Sequence, residues 1–409
     1  MDLTPLRRHR DYRLLYGAQF VTFLGSMVTY VALPYQMFRL THSSLAVGLL
    51  GLAELGPLLV TAFVGGALAD SVDRRRLVMW AEAALGLGSA ALLATALYGS
   101  RAWLLYVVAG LMSGLNGLQR PSIDALMPRL VDKEDIPAAA GLSVLRGSVS
   151  MVAGPALGGA LIASAGLWSA YAFDLVSYVL AIAAIALIRR VPPPESAEKP
   201  TLRSVFEGFR YARSRQELIG TYVVDFVAMV FGMPLALFPA LSEHLGGARA
   251  LGYLYAAPAL GALAASLTSF WTRRVQRHGR AVMLAAAVWG LAIVAFGLVS
   301  GLPAAVFWLA LAGGADAVSG MFRMTLWNQT IPDALRGRLA GIEMVSYMSG
   351  PLLGHVEAGG VAALFGVRAS VISGGVLCVV GVLVCGALLP LFMAYDARRF
   401  VPAPAAEGV

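Results

Sequence analysis

The sequence predicts an all-α membrane protein with twelve transmembrane helices in two pseudo-symmetric six-helix bundles. Three observations predict it. Apolar runs long enough to span a bilayer, which takes about 20 residues each, recur about twelve times. Charged residues gather in the connections between those runs. A glycine–proline motif in the fifth run returns in the eleventh.

Composition agrees. Only 13% of the 409 residues are charged and the mean hydropathy is +0.74, whereas a soluble domain carries roughly 25% charge. The 45 glycines and 20 prolines suit membrane helices better than soluble ones. The net charge of +8 does not indicate a nucleic-acid partner, because the basic residues punctuate apolar runs instead of forming one face. No cleavable leader is expected, since the apolar run after the basic segment Met1 to Arg13 is long and lacks a cleavage pattern.

The first run, 14–38, carries Gln19, Tyr30 and Gln36. The second, 46–70, carries Glu54 about 12 Å from its outer end. It leads into Gly65-Gly66-Ala-Leu-Ala-Asp70-Ser-Val-Asp73-Arg74-Arg75-Arg76, a charged junction before the third run, 77–98. Glycines at that junction let helices approach closely. The arginines belong at headgroup level, and Asp70 is placed to latch the ends of neighbouring helices. The fourth run, 102–125, carries Asn116, with Arg120 and Asp124 near its inner end. Together with Glu82, near the inner end of the third run, they are expected to join the latch. The fifth, 138–164, holds Arg146, and the sixth, 168–189, holds Asp174. A long connection follows, 190–216, with three prolines and an amphipathic stretch from Leu202, read as a linker with an interfacial helix. The proposed domains are therefore 1–189, the linker 190–216, and 217–409. The seventh run, 217–242, carries Asp225 about 12 Å from its inner end. The eighth and ninth, 250–272 and 280–299, have no internal charge of note. The tenth, 303–327, carries Asp316 about 20 Å from its outer end, and Arg323. The eleventh, 338–363, carries Glu343 and Glu357, and the twelfth, 367–394, holds the two cysteines, Cys378 and Cys385, too few for a disulfide or metal framework.

Orientation follows from the basic residues. With the N-terminus inside, only Arg39, Arg101, Arg249 and Arg368 of the 31 Lys and Arg fall in outer loops. Both termini are then cytoplasmic. Duplication follows from Gly154-Pro155-Ala-Leu-Gly158-Gly159 and its echo Gly350-Pro351-Leu-Leu-Gly354-His355. Each comes after an inner loop with an Ile-Pro pair, Ile136-Pro137 or Ile331-Pro332. Chance matching in a glycine-rich chain is the competing explanation.

No phosphate-binding loop and no metal-ligand spacing of His and Cys is present, so no ATP site, metal, cofactor or catalytic centre is expected. Driving force must come from an ion gradient or a separate subunit. An ionisable residue inside an apolar run faces a cavity or a partner. A structural interhelical bond is as good an account of each one alone as a functional role. Gln19, Tyr30, Gln36 and Asn116 are open to the same two readings, substrate contact or helix joining.

The junction from Gly66 to Arg76 resembles the loop between helices two and three of the major facilitator superfamily. Gly141, Ser150, Gly154, Pro155, Gly158 and Gly159 resemble the fifth-helix motif of its drug–proton antiporters, with Ser150 where that motif has glycine. Thr41-His42-Ser43-Ser44, the run Leu251 to Gly261, and Gln329 to Arg338 resemble its enterobactin-exporter branch, which includes multidrug and macrolide efflux proteins. Two departures stand out: Asp73 replaces a usual glycine, and Arg120 is too near the inside to be the antiporters' mid-membrane arginine. The resemblance implies export of a siderophore or amphipathic drug by proton antiport, from a monomer in a bacterial inner membrane. Its cavity-lining seventh and tenth helices make Asp225 and Asp316 the leading proton-coupling candidates, with Glu54 and Arg146 next. Import or facilitated passage of a polar metabolite, and a non-transporting membrane sensor, are the alternatives.

Overall fold

A computed structural model describes residues 2–71, 73–99, 101–189, 210–211, 213–331 and 333–398; the side chains of 62–71, 333–338 and 340–346 are outside that description. The described residues form helices and no strands. In chain order the long helices are α1 (Arg10–Thr41), α2 (Ser44–Ser71), α3 (Arg74–Tyr98), α4 (Ala102–Leu126), α5 (Ile136–Ala165) and α6 (Leu167–Ala186). After the linker come α7 (Gln216–Phe231, resuming at Phe238–Leu245), α8 (Ala248–Leu267), α9 (His278–Leu298), α10 (Leu302–Thr330), α11 (Asp333–Phe365) and α12 (Val367–Leu388). Eleven of them are long and apolar enough to cross a membrane within the described residues, and α11, at 33 residues, has the length of the twelfth. The helices run past the apolar cores read from the sequence: α1 covers 10–41 where 14–38 is expected, because its polar ends stay helical beyond the hydrocarbon.

The seventh span differs more. It is expected as one helix and is broken at 232–237. Gly232 caps the first part, and Pro234 lacks the N–H that would continue it. The amphipathic stretch from Leu202 lies outside the described residues, apart from Arg210 and Tyr211.

Two compact units emerge: Met1–Lys199 with Phe238–Ala256, and Pro200–Leu237 with Ala257–Val409. In the first, α2 lies along α4, α1 along α5 and α6, and α3 along α4 and α6. Its end nearest Tyr12 is closed by a cluster of Tyr12, Leu15, Val78, Leu126, Leu142 and Ile185. Tyr12 also donates to the Ala139 carbonyl at 3.1 Å. In the second unit, α9 lies along α10 and α12, and α7 along α11 and α12.

Both units are held by backbone contact at the repeated motif. In α5, a Cβ on Gly158 would stand 3.2 Å from the Val28 carbonyl oxygen of α1, and one on Gly154 would run into Met27. In α11, a Cβ on Gly354 would stand 2.5 Å from the Met229 carbonyl oxygen of α7, and one on Gly350 would stand 3.0 Å from Met229 Cβ. The motif therefore seats the fifth helix of each half on the first helix of that half. A second pairing is also duplicated, without an obvious sequence signature. Pro57 of α2 packs against Gly110 and Gly114 of α4, and Pro258 of α8 packs against Gly313 of α10. Lipid supplies no hydrophobic force between helices, so such close approach carries much of the association.

Gly158→Leu and Gly354→Leu should each destabilise the protein by about 1–3 kcal/mol or more, because the added side chain meets backbone that cannot yield. Gly141 has no neighbour within 4 Å of a built Cβ, so Gly141→Leu should melt like wild type. Thermal unfolding in detergent compares the three, and equal midpoints would remove the motif from the packing argument.

Candidate functional site

The second unit brings three charges together. Asp316 and Arg323 lie seven residues apart on α10, two turns along one face. Asp225 lies on α7. The Arg323 guanidinium pairs with Asp225 through Nη1 and Oδ1. Its Nη2 stands 3.6 Å from Asp316 Oδ1. The two acids differ in setting: the Asp225 side chain is 10% exposed, and the Asp316 side chain 40%. Asp225 is thus locked to the arginine, while Asp316 is beyond hydrogen-bond range and faces open space.

A neighbouring rung fixes the arginine. One turn further along α10, the Trp327 indole N–H donates to Thr221 Oγ1 at 2.9 Å. Thr221 is one turn before Asp225 on α7, so Thr221–Trp327 and Asp225–Arg323 are successive rungs between two helices. Tyr222 meets Trp327 in a tilted ring contact with centroids 5.0 Å apart. With both acids ionised, the cluster of two carboxylates and one guanidinium carries a net charge of −1. In a low-dielectric bundle that surplus favours uptake of one proton or cation.

The first unit treats its charges differently. Asp174 of α6 is fully buried and accepts hydrogen bonds from Thr29 of α1 at 2.7 Å and Ser89 of α3 at 2.6 Å. A Cβ on Gly25 would come within 2.6 Å of Asp174 Oδ1, so the bare backbone of α1 makes room for the carboxylate. Glu82 accepts from Gln19 Nε2 at 2.8 Å and is buried, so it sits inside the bundle and not in the loop latch. Gln36 is also buried, donating to Thr95 Oγ1 at 3.1 Å and accepting from Tyr171 at 2.7 Å. Gln19 and Gln36 therefore join helices. Asn116 is exposed and donates to the Met112 carbonyl of its own helix. Tyr30 is half-exposed and meets Tyr255 edge to face at 5.3 Å, and Tyr255 meets Phe238 in the same way at 5.1 Å.

Glu54 is half-buried on α2, and its carboxylate has no hydrogen-bond partner among the described residues. Arg146 on α5 lies within electrostatic reach of Tyr12, Tyr16 and Asp124, and its Nε is buried without a partner. Glu357 is half-buried one turn beyond Gly354. Ser150 is fully buried, with no partner for its hydroxyl. Pro155 and Gly159 touch the start of α8: the Pro155 carbonyl oxygen would lie 2.6 Å from a Cβ on Gly252, and the Ala248 carbonyl oxygen 2.6 Å from one on Gly159.

At the junction between α2 and α3, the surroundings of Gly66 and the side chains of Asp70 and its neighbours lie outside the description, and so does the side chain of Glu343. Asp73 caps α3, accepting from the backbone N–H of Arg75 at 3.0 Å and of Arg76 at 3.4 Å, a job that glycine cannot do. Arg75 donates to the Ile185 and Ala186 carbonyls at the end of α6, at 3.0 and 2.5 Å, and Arg74 to the Ala125 carbonyl at the end of α4, at 3.1 Å. Helix C-termini present unpaired carbonyls and partial negative charge, so arginine is the apt cap. Arg76 remains exposed beside Asp73. One cluster of metal-ligand type occurs among the described residues, His9 with Asp135 at 2.8 Å and Asp132 at 3.9 Å. With Asp132 open to solvent, it reads as a hydrogen bond from His9 to Asp135 tying the N-terminal segment to the loop before α5.

Residues 1–406 match the family described as transmembrane secretion effector. The enterobactin exporter EntS of Shigella boydii serotype 18 is 29% identical over 406 residues, covering 99% of this chain and 96% of the relative. The enterobactin exporter of Escherichia coli O81 matches with the same identity and coverage. Among solved structures, a bacterial homologue of the iron transporter ferroportin in an inward-facing state superposes with a TM-score of 0.70 at 16% identity, over 96% of this chain and 100% of that one. The nucleoside transporter NupG superposes with 0.72 at 13%, over 96% and 100%.

Removing Arg323 should expose what it compensates. Arg323→Gln leaves Asp225 as an unpaired buried charge and should cost about 3–5 kcal/mol. Adding Asp225→Asn should recover most of that loss. Asp316→Asn alone should cost about 1 kcal/mol or less, as for an open, half-exposed pair. A double-mutant cycle in thermal unfolding measures all three, and a zero coupling between positions 225 and 323 would break the proposed rung.

Proposed function

Since the chain belongs to the transmembrane secretion effector family of major facilitator transporters, we propose that it exports a siderophore or amphipathic drug-like molecule across a bacterial inner membrane in exchange for protons. The exporter direction and the substrate class rest on full-length similarity to proteins named enterobactin exporters. The coupling ion rests on one observation, the Asp225–Arg323–Asp316 cluster.

Asp316 is the proton carrier. It is the acid with open space before it, and protonating it removes the surplus charge while the Asp225–Arg323 pair stays intact. Asp225 holds the guanidinium in place. Glu54 and Arg146 are the next candidates in line, and Tyr30 is a candidate cavity contact. The contact of Pro155 and Gly159 with the start of α8 serves as a closure on the outer side. Arg74 and Arg75, with Asp70 and Gly66, set the inner ends of α4 and α6. The two halves, 1–189 and 217–409, joined by 190–216, give alternating access as a monomer, with both termini cytoplasmic by the arginine distribution.

Inverted vesicles with an acidified lumen test the cycle. Wild type should accumulate substrate against its gradient. Asp316→Asn should lose pH-driven accumulation yet keep downhill exchange, because the cavity keeps its shape. Undiminished uphill transport by Asp316→Asn would move coupling to another acid. Transport that never responds to the gradient would make the protein a facilitator.

A further inference from the structure

A deep crevice of about 780 Å³ opens on the second unit, walled by α8, α9 and α10. Its floor is made of small residues, among them Gly261, Ala265, Ala285 and Gly314, which leave room because no large side chain fills it. Its rim carries large apolar groups that stay open: Leu284 is 69% exposed, and Phe307 60%. At the end near the α8–α9 connection it meets charge. Arg277 and Arg280 line it there, both exposed, and Arg273 and Arg274 stand just before them. Trp271 also lines that end, beside the strongly exposed Phe270. No acid lines the crevice.

The crevice is therefore graded along its length, with an apolar trough, an aromatic collar and a cationic mouth. A ligand that matches is apolar over most of its length and anionic at one end. Trp at the collar and Arg beyond it repeat the layering of a bilayer from acyl chain to phosphate. The volume lies in the roughly 300–1,000 Å³ range of small-molecule sites, well beyond a gap between loosely packed side chains. The charged cluster of Asp225, Arg323 and Asp316 does not line this crevice.

We propose that this crevice is a seat for one anionic phospholipid, its acyl chain in the trough between α8, α9 and α10 and its phosphate on Arg277 and Arg280. A lipid held there fills space that helix packing leaves open and ties the α8–α9 connection to the membrane surface.

The purified protein in mild detergent tests the seat by native mass spectrometry and by thermal unfolding with added lipid. Phosphatidylglycerol should bind at one copy and raise the melting midpoint, and phosphatidylcholine with the same chains should do neither. Two variants separate the parts of the site. Arg277→Gln with Arg280→Gln should weaken phosphatidylglycerol binding about thirtyfold, the expected effect of two basic groups at an anionic headgroup. Ala264→Phe, an exposed position on the crevice wall, should block the trough and abolish the lipid-induced shift while leaving the lipid-free midpoint unchanged. Equal binding of the two lipids, or phosphatidylglycerol binding that ignores both variants, overturns the proposal. So does a dimer that Ala264→Phe dissociates, since the crevice would then be covered by a second copy.

Discussion

Everything in this structure depends on how closely two helical backbones can approach in lipid. In water, burying a leucine against a leucine drives packing. In hydrocarbon it does not, because the lipid is as apolar as the side chain. Association then falls to dispersion and to polar contacts, and both grow when backbones touch. The glycines of α5 and α11 provide that approach at α1 and α7. The prolines of α2 and α8 meet glycines of α4 and α10 in the same way. These paired contacts set the spacing of α5 on α1, α11 on α7, α4 on α2 and α10 on α8.

Polar chemistry follows from that scaffold. A carboxylate inside the bundle must find donors or a counter-charge, or it costs several kcal/mol. Asp174 finds hydroxyls on two neighbouring helices, and the absent side chain of Gly25 leaves it space. Asp225 finds Arg323. Both solutions need three or more groups placed within fractions of an ångström by helices that cannot slide. At the ends of the helices the same demand is met by arginine: Arg74 and Arg75 take up the last carbonyls of α4 and α6, and Arg368 donates to the Val299 carbonyl just past the end of α9, at 3.2 Å.

Legibility in the sequence followed the range of the interaction. The helices and their order were readable because hydropathy is a local sum over about 20 residues. The break in α7 was marked by Gly232 and Pro234 but hidden inside an apolar run. The duplicated motif was readable because glycine and proline are rare enough in combination to be seen twice. Asp225 and Asp316 were readable as deep acids. Their shared partner Arg323 was only one more ionisable residue, although two spacings pointed to it: Asp316 to Arg323 at seven, and Arg323 to Trp327 matched by Thr221 to Asp225 at four. Gln19 and Gln36 were undecided between cavity and core, since nothing local says that Glu82 and Tyr171 wait for them.

The two halves keep the same packing and have parted in their chemistry, and that division explains where function can sit. A contact between backbones tolerates almost no change, so duplication preserved it at both Gly158 and Gly354. Asp174 holds neutral hydroxyls on two helices through Oδ2 and has no cation beside it among the described residues, so it serves as a clasp between α1, α3 and α6. A pair of acids sharing one arginine is different. One proton changes the cluster from −1 to neutral, and the acid that accepts it at least local cost is the one already loosely held. Asp316 is 3.6 Å from the guanidinium with a side chain 40% exposed, whereas Asp225 is 10% exposed and tightly paired. Neutralising Asp316 therefore breaks little, and re-ionising it restores an attraction within α10 that competes with Asp225 of α7 for the Arg323 guanidinium. In the proposed coupling the responsive element is the looser of two acids beside a braced rung, and the brace is the Thr221–Trp327 hydrogen bond one turn away.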